Sequence, residues 1–122
     1  MGNHNYYNSD LNQYIGENLP KVMTSIDLDL LQVKKRRKII RFAEYKHNNE
    51  QVGYQQNEAL KKIADIARFV NSNSSLLDGW TIEVFLIRGN IPFDEMQVHC
   101  YVTNKDYHVV NKDKINKFLV LE

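Results

Sequence analysis

A chain of 122 residues is long enough for one small domain with its own core and too short for two. Hydrophobic content of 43%, charged content of 25% and a net charge of +1 are ordinary for a globular protein and exclude a surface coated in positive charge, although local basic surface is enough to hold phosphate. No apolar run approaches the roughly 20 residues that span a membrane, the N-terminal segment lacks the basic and apolar regions of a signal peptide, and the lone Cys100 excludes an intrachain disulfide and a thiolate zinc cluster, so the expected location is the cytoplasm.

Residues 1–8 read as a flexible start to a single domain over 1–122. Ser9 or Asp10 caps a helix whose apolar positions Leu11, Tyr14, Ile15 and Leu19 follow helical spacing, and Pro20 stops it. Residues 21–24 leave room for a short strand, and an aspartate-bearing strand follows it up to Val33. The basic run Lys34, Lys35, Arg36, Arg37 and Lys38 then forms a pivot. Residues 39–46 read as a strand, with Ile40, Phe42, Glu44 and Lys46 on one face and Ile39, Arg41, Ala43 and Tyr45 on the other.

After a break at 47–50, residues 54–70 carry Leu60, Ile63, Ala64, Ala67 and Val70 at helical spacing. Gln56 stands one turn before Leu60 on that stripe, so its amide needs a polar partner on the sheet. Beyond the loop at 71–79, residues 80–88 form a strand rich in β-branched and aromatic side chains. Residues 89–94 turn the chain, and 96–103 read as a strand with Gln97, His99 and Tyr101 on a wet face. Cys100 lies on the opposite, apolar face and reads as buried and structural. A short strand at 106–110 follows, and residues 113–121 suit a helical turn or a strand equally. The pattern predicts an α/β (α+β) fold, a mixed central sheet flanked by helices.

The chemistry concentrates between Ile26 and Lys46. In an antiparallel hairpin that turns within 34–38, either Asp27 or Asp29 falls opposite Glu44, with Cβ atoms about 5 Å apart. Like charges that close disfavour each other's ionisation unless a cation lies between them. The Lys46 ammonium or a divalent metal supplies one. Mg²⁺ or Mn²⁺ takes oxygen from one or two carboxylates and leaves positions for water and phosphate, which is the arrangement for metal-assisted hydrolysis of a phosphodiester. The cations at 34–38 are candidate contacts to nucleic-acid phosphates and equally a soluble hairpin tip, and His47 beside Lys46 is a further candidate for phosphate or water. His47, His99 and His108 lie in three different elements without helical i, i+4 pairing, which does not suit zinc.

An aspartate, a hairpin, Glu44-Tyr45-Lys46 and then Gln56 on the next helix together resemble the motif of the PD-(D/E)XK nuclease superfamily, whose Holliday-junction resolvase and VRR-NUC members have a glutamine at a comparable place. The likeness covers roughly residues 10–88 and lacks the motif's proline, since Ile26 precedes Asp27 and Leu28 precedes Asp29. It implies a restriction-endonuclease-like core in the order α-β-β-β-α-β, with extra strands at the C-terminus. It also implies a Mg²⁺- or Mn²⁺-dependent endo- or exodeoxyribonuclease. Asp29 or Asp27 would hold the metal with Glu44, Lys46 would position or deprotonate the attacking water, and Gln56 would orient these groups. Asp29 is preferred because its shorter gap to Glu44 fits the family spacing, and Glu17 on the first helix is an additional candidate ligand. So small a chain has little surface for reading bases, which favours junctions, flaps or ends as substrates. Cutting two strands would need a homodimer, with the strands after residue 80 as its interface. The alternatives are a catalytically inactive nucleic-acid- or protein-binding module on the same fold, and a structural protein whose charges only pair.

Overall fold

The molecule is built on a β-hairpin, a helical crossover and a β-meander, in a computed structural model that describes residues 9–20 and 26–122. Strand β1 (Leu30–Lys34) and strand β2 (Ile39–Lys46) pair antiparallel from Leu30↔Ala43 to Lys34↔Ile39. Between them lies a 3₁₀ turn, Lys35–Arg37, closed by Lys38 in the left-handed region at φ 53°. Helix α2 (Tyr54–Ser72) carries the chain back over the sheet to β3 (Thr81–Arg88), which runs parallel to β2 from Ile39↔Thr81 to Lys46↔Arg88. Strands β4 (Glu95–Cys100) and β5 (Lys105–Val110) complete a five-stranded mixed sheet in the order β1-β2-β3-β4-β5. Helix α1 (Asp10–Asn18) precedes the sheet and α3 (Lys112–Leu119) closes the chain.

Because β3 is central and covered on both faces, its Val84-Phe85-Leu86-Ile87 run is apolar without alternation. On one face Leu60, Ala64 and Ala67 of α2 pack on Val84, Leu86 and Tyr101. On the other, Ile115 of α3 packs on Ala43, Phe85, Ile87, Met96, Val98 and Cys100. No helix among the described residues is long and apolar enough to cross a membrane.

One expectation changes, one cannot be compared and one open alternative is decided. The aspartate-bearing strand begins only at Leu30, and residues 26–29 are irregular. The short strand expected at 21–24 lies outside the described residues, whose order is α-β-β-α-β-β-β-α. The ambiguous C-terminus is helical, with the Asn111 side chain accepting from the Asp113 amide as its N-terminal cap.

The end of α3 also explains most of the basic run. The last carbonyls of a helix have no partner within it and carry its negative pole, so they attract donors and cations. Here Arg41 donates to the Phe118 carbonyl (2.5 Å), Gln32 to Leu119 (2.6 Å), Lys34 to Val120 (2.9 Å) and Arg37 to Leu121 (2.9 Å). Lys34 also pairs with Glu122 at 3.1 Å, and this hydrogen bond holds the Glu122 carboxyl below its ordinary pKa. Lys38 donates to the Asp78 carbonyl at 2.9 Å. The hairpin tip expected to meet nucleic acid is thus largely a clamp on the chain's own C-terminus. Of the five cations, Lys35 and Arg36 alone make no side-chain hydrogen bond or ion pair among the described residues.

Candidate active site

Glu44 lies one step beyond the Leu30–Ala43 rung of the hairpin, on the face of β2 that also carries Phe42 and looks toward α2. Continuing the β1–β2 register sets Asp29 across from it. The Asp29 Oδ2 accepts from the Tyr45 amide at 2.9 Å, which draws the carboxylate across the hairpin from an irregular segment. The two carboxyls are close enough for Asp29 to raise the pKa of Glu44. From above, the Gln56 amide in the first turns of α2 donates to Glu44 Oε2. The polar residue on the buried stripe of α2 thus has the partner that its position demanded.

Glu44 is 1% exposed. Its pKa is pushed up to about 8, first by burial, then by the hydrogen bond to Asp29 and by the Asp29 charge, while Lys46 pulls it down. Lys46 is on the same strand face, two residues further along, with an 11% exposed side chain whose Nζ lies 3.9 Å from Glu50 Oε2. Glu50 also accepts from the His47 amide through Oε1 at 3.0 Å, and Arg88 donates to the backbone carbonyls of His47 (3.1 Å) and Glu50. Exposed His47 has its Nδ1 3.3 Å from the Tyr45 hydroxyl, which itself donates to the Gly89 carbonyl at 2.6 Å.

Asp27 does not join this group. Its oxygens accept from the Ser9 amide and from Ser9 Oγ (2.8 Å), and Ser9 Oγ in turn caps α1 by accepting from Asn12. The two aspartates part because residues 26–29 are not an extended strand, so same-face alternation fails there. Glu17 accepts from Gln13 at 3.1 Å on exposed α1 and is not among the groups that shift Glu44. His99 and His108 pair with Asp106 (2.8 Å) and Glu95 (3.0 Å) on β4 and β5, apart from His47.

Sequence reasoning missed Glu50 and Arg88. Their signal was Lys46 and Arg88 side by side at the ends of parallel strands, two cations that call for acceptors from the loop that follows. Among the described residues no three His, Cys, Asp or Glu side chains gather as a ready cation site. The donors suit a hard divalent ion through two carboxylates: a pair that retains a proton for want of a counter-charge is what such an ion would neutralise.

Stability should record this proton. Folded Glu44 binds it up to about pH 8, whereas the unfolded chain releases it near the ordinary value of 4.5. Between those limits the folded state holds more protons, so stability is present at low pH and is lost as pH rises, by up to roughly 1.4 kcal/mol per pH unit. Thermal melts from pH 5.5 to 8.5 are expected to show this decline without metal, with Mg²⁺ stabilising most at the alkaline end. Glu44→Gln should flatten the slope; a slope equal to wild type in that variant refutes the assignment.

Comparison of the chain with protein-family models, with curated proteins and with solved structures gives no match.

Proposed function

We propose that the protein is a Mg²⁺- or Mn²⁺-dependent nuclease that hydrolyses DNA phosphodiester bonds on a restriction-endonuclease-like core. The observation that carries this reading is the Asp29–Glu44 carboxyl pair set across the hairpin, with the Tyr45 amide on Asp29, Gln56 on Glu44 and Lys46 close enough to act on the Glu44 charge. Asp29 and Glu44 would hold the ion. When bound, it would lower the pKa of coordinated water and offset charge on the phosphoryl oxygens.

Gln56 fixes the Glu44 carboxyl, so the ligand does not need to reorganise as charge develops. Lys46 would position the attacking water as an ammonium or deprotonate it as a neutral amine, and in its charged form it offsets the negative charge that builds on the phosphoryl oxygens. Glu50 and Arg88 hold the loop after β2, which keeps His47 exposed beside the site for a phosphate contact. The group lies where β2 and β3, the parallel pair, reach their C-terminal ends, a usual place for ligands in sheets with helical crossovers.

The near-complete burial of Glu44 favours one rival, an inactive binding module whose carboxyl pair is structural. A panel of single-stranded, duplex, flap and four-way DNA with Mg²⁺, Mn²⁺ or EDTA separates the two. Cleavage of at least one substrate with metal and of none with EDTA is expected. Intact DNA across the whole panel would leave the inactive module.

A further inference from the structure

We propose that the groove between α2 and the β4–β5 turn binds the backbone phosphates next to the one that is cut. This inference rests on the nuclease reading and supplies the strand-binding surface that the hairpin tip does not, because Lys34, Arg37 and Lys38 are engaged within the fold. The groove has a volume of about 640 Å³ and is lined by Asn57, Lys61, Lys62, Arg68, His99 and Tyr101, together with acidic Glu58 and Asp65.

Its position follows from the sheet register. Glu44 pairs with Leu86, and Leu86 with His99, so the three share one rung. Two strand spacings then put His99 about 10 Å from Glu44. The helix above joins the two places: Gln56 donates to Glu44, while its neighbour Asn57 accepts from the Tyr101 hydroxyl at 2.8 Å. A strand whose scissile phosphate lay at Glu44 and Lys46 would have its neighbouring phosphates beside Asn57 and His99.

The donors are prepared for anions. His99 Nδ1 is held by Asp106 at 2.8 Å and its ring stands edge-on to Tyr101 with centroids 4.8 Å apart, which leaves Nε2 for the groove. Asn57 uses its oxygen on Tyr101, which turns its NH₂ outward as a donor. Among the described residues Lys61 and Lys62 form only exposed pairs, with Glu58 at 3.4 Å and Asp65 at 3.7 Å. Such pairs are weak enough to be exchanged for phosphate. Arg68 is fixed to Asp65 and to the carbonyls of Tyr101 and Val102, so it shapes the wall. The one aromatic lining residue besides His99, Tyr101, is 8% exposed and offers no platform for a base. The groove therefore suits the sugar-phosphate chain and no particular sequence.

The test is fluorescence anisotropy of the full chain with a labelled single strand and its duplex in EDTA, across a salt series. Lys61→Gln/Lys62→Gln and His99→Ala, each checked by thermal melting, should weaken binding by about tenfold, and the double variant should lower the salt slope by about the two contacts removed. Lys35→Gln/Arg36→Gln should weaken it less. Wild-type binding with an unchanged affinity in the groove variants overturns the groove alone. A wild-type chain that binds neither DNA overturns the groove and the nuclease reading together.

Discussion

Lys46→Ala is expected to lower metal-dependent DNA cleavage by about a thousandfold or more while leaving the fold in place, within the range that removal of a proton-transfer group produces. Its ion pair with Glu50, at 3.9 Å, is loose, and the loss of that pair costs about 1 kcal/mol or less. The same amine opposes the burial that drives Glu44 toward its protonated form. Without it, Glu44 binds its proton more firmly and becomes a poorer oxygen ligand, so the variant should need more Mg²⁺ as well as turn over more slowly. Lys46→Arg divides the two roles. Arginine keeps the charge and cannot be deprotonated, so it should restore Mg²⁺ dependence toward wild type without restoring the rate. Plasmid nicking against Mg²⁺ concentration reads both effects, and wild-type nicking by Lys46→Ala removes lysine from the mechanism.

Much of this site could be read from local periodicity. Alternation across residues 39–46 predicts β2 with its observed ends, Ile39–Lys46, and already sets Glu44 and Lys46 on the face below α2. Helical spacing places Gln56 on the stripe that includes Leu60, and the structure brings it to Glu44. The choice between Asp27 and Asp29 was not legible, because two residues two apart share a face in any strand. It is set by the tight 3₁₀ turn at Lys35–Arg37, with left-handed Lys38, and by the irregular backbone before Leu30.

The meaning of the basic run was hidden for a different reason. Lys34 and Arg37 answer to carbonyls more than 80 positions away, just past the end of a helix whose own sequence fitted two conformations. Helix α1 marks the reverse case. Leu11, Tyr14 and Leu19 have the spacing of a packed face, yet α1 buries none of its residues among the described part of the molecule.

Arg41→Ala should have the largest effect on stability, about 3 kcal/mol, because it removes the buried partner of a part-buried ion pair. Arg41 is 4% exposed, and burial lowers its pKa against the pull of Glu83, so this charge is carried at a cost that only its partners offset. Its Nε lies 3.0 Å from Glu83 Oε1, it donates to the Phe118 carbonyl, and the guanidinium lies 4.9 Å and 4.2 Å from the ring centroids of Phe85 and Phe118. Alanine leaves the Glu83 carboxylate without its ion-pair partner and withdraws the donor that ties α3 to β2. Arg41→Lys should lose less, since it keeps the charge and gives up the planar fork. Arg41→Met/Glu83→Leu should recover most of the loss, because an apolar pair of similar volume leaves no charge behind. Urea unfolding measures all three, and a penalty under about 1 kcal/mol for alanine contradicts the clamp. The consequence reaches the active site through the hairpin. The contacts of Gln32, Lys34, Arg37 and Arg41 to the end of α3 brace β1 against β2, and the β1–β2 register is what holds Asp29 across from Glu44. Hydrogen exchange in Arg41→Ala should therefore show α3 and β1 losing protection before α2, together with weaker Mg²⁺ stabilisation.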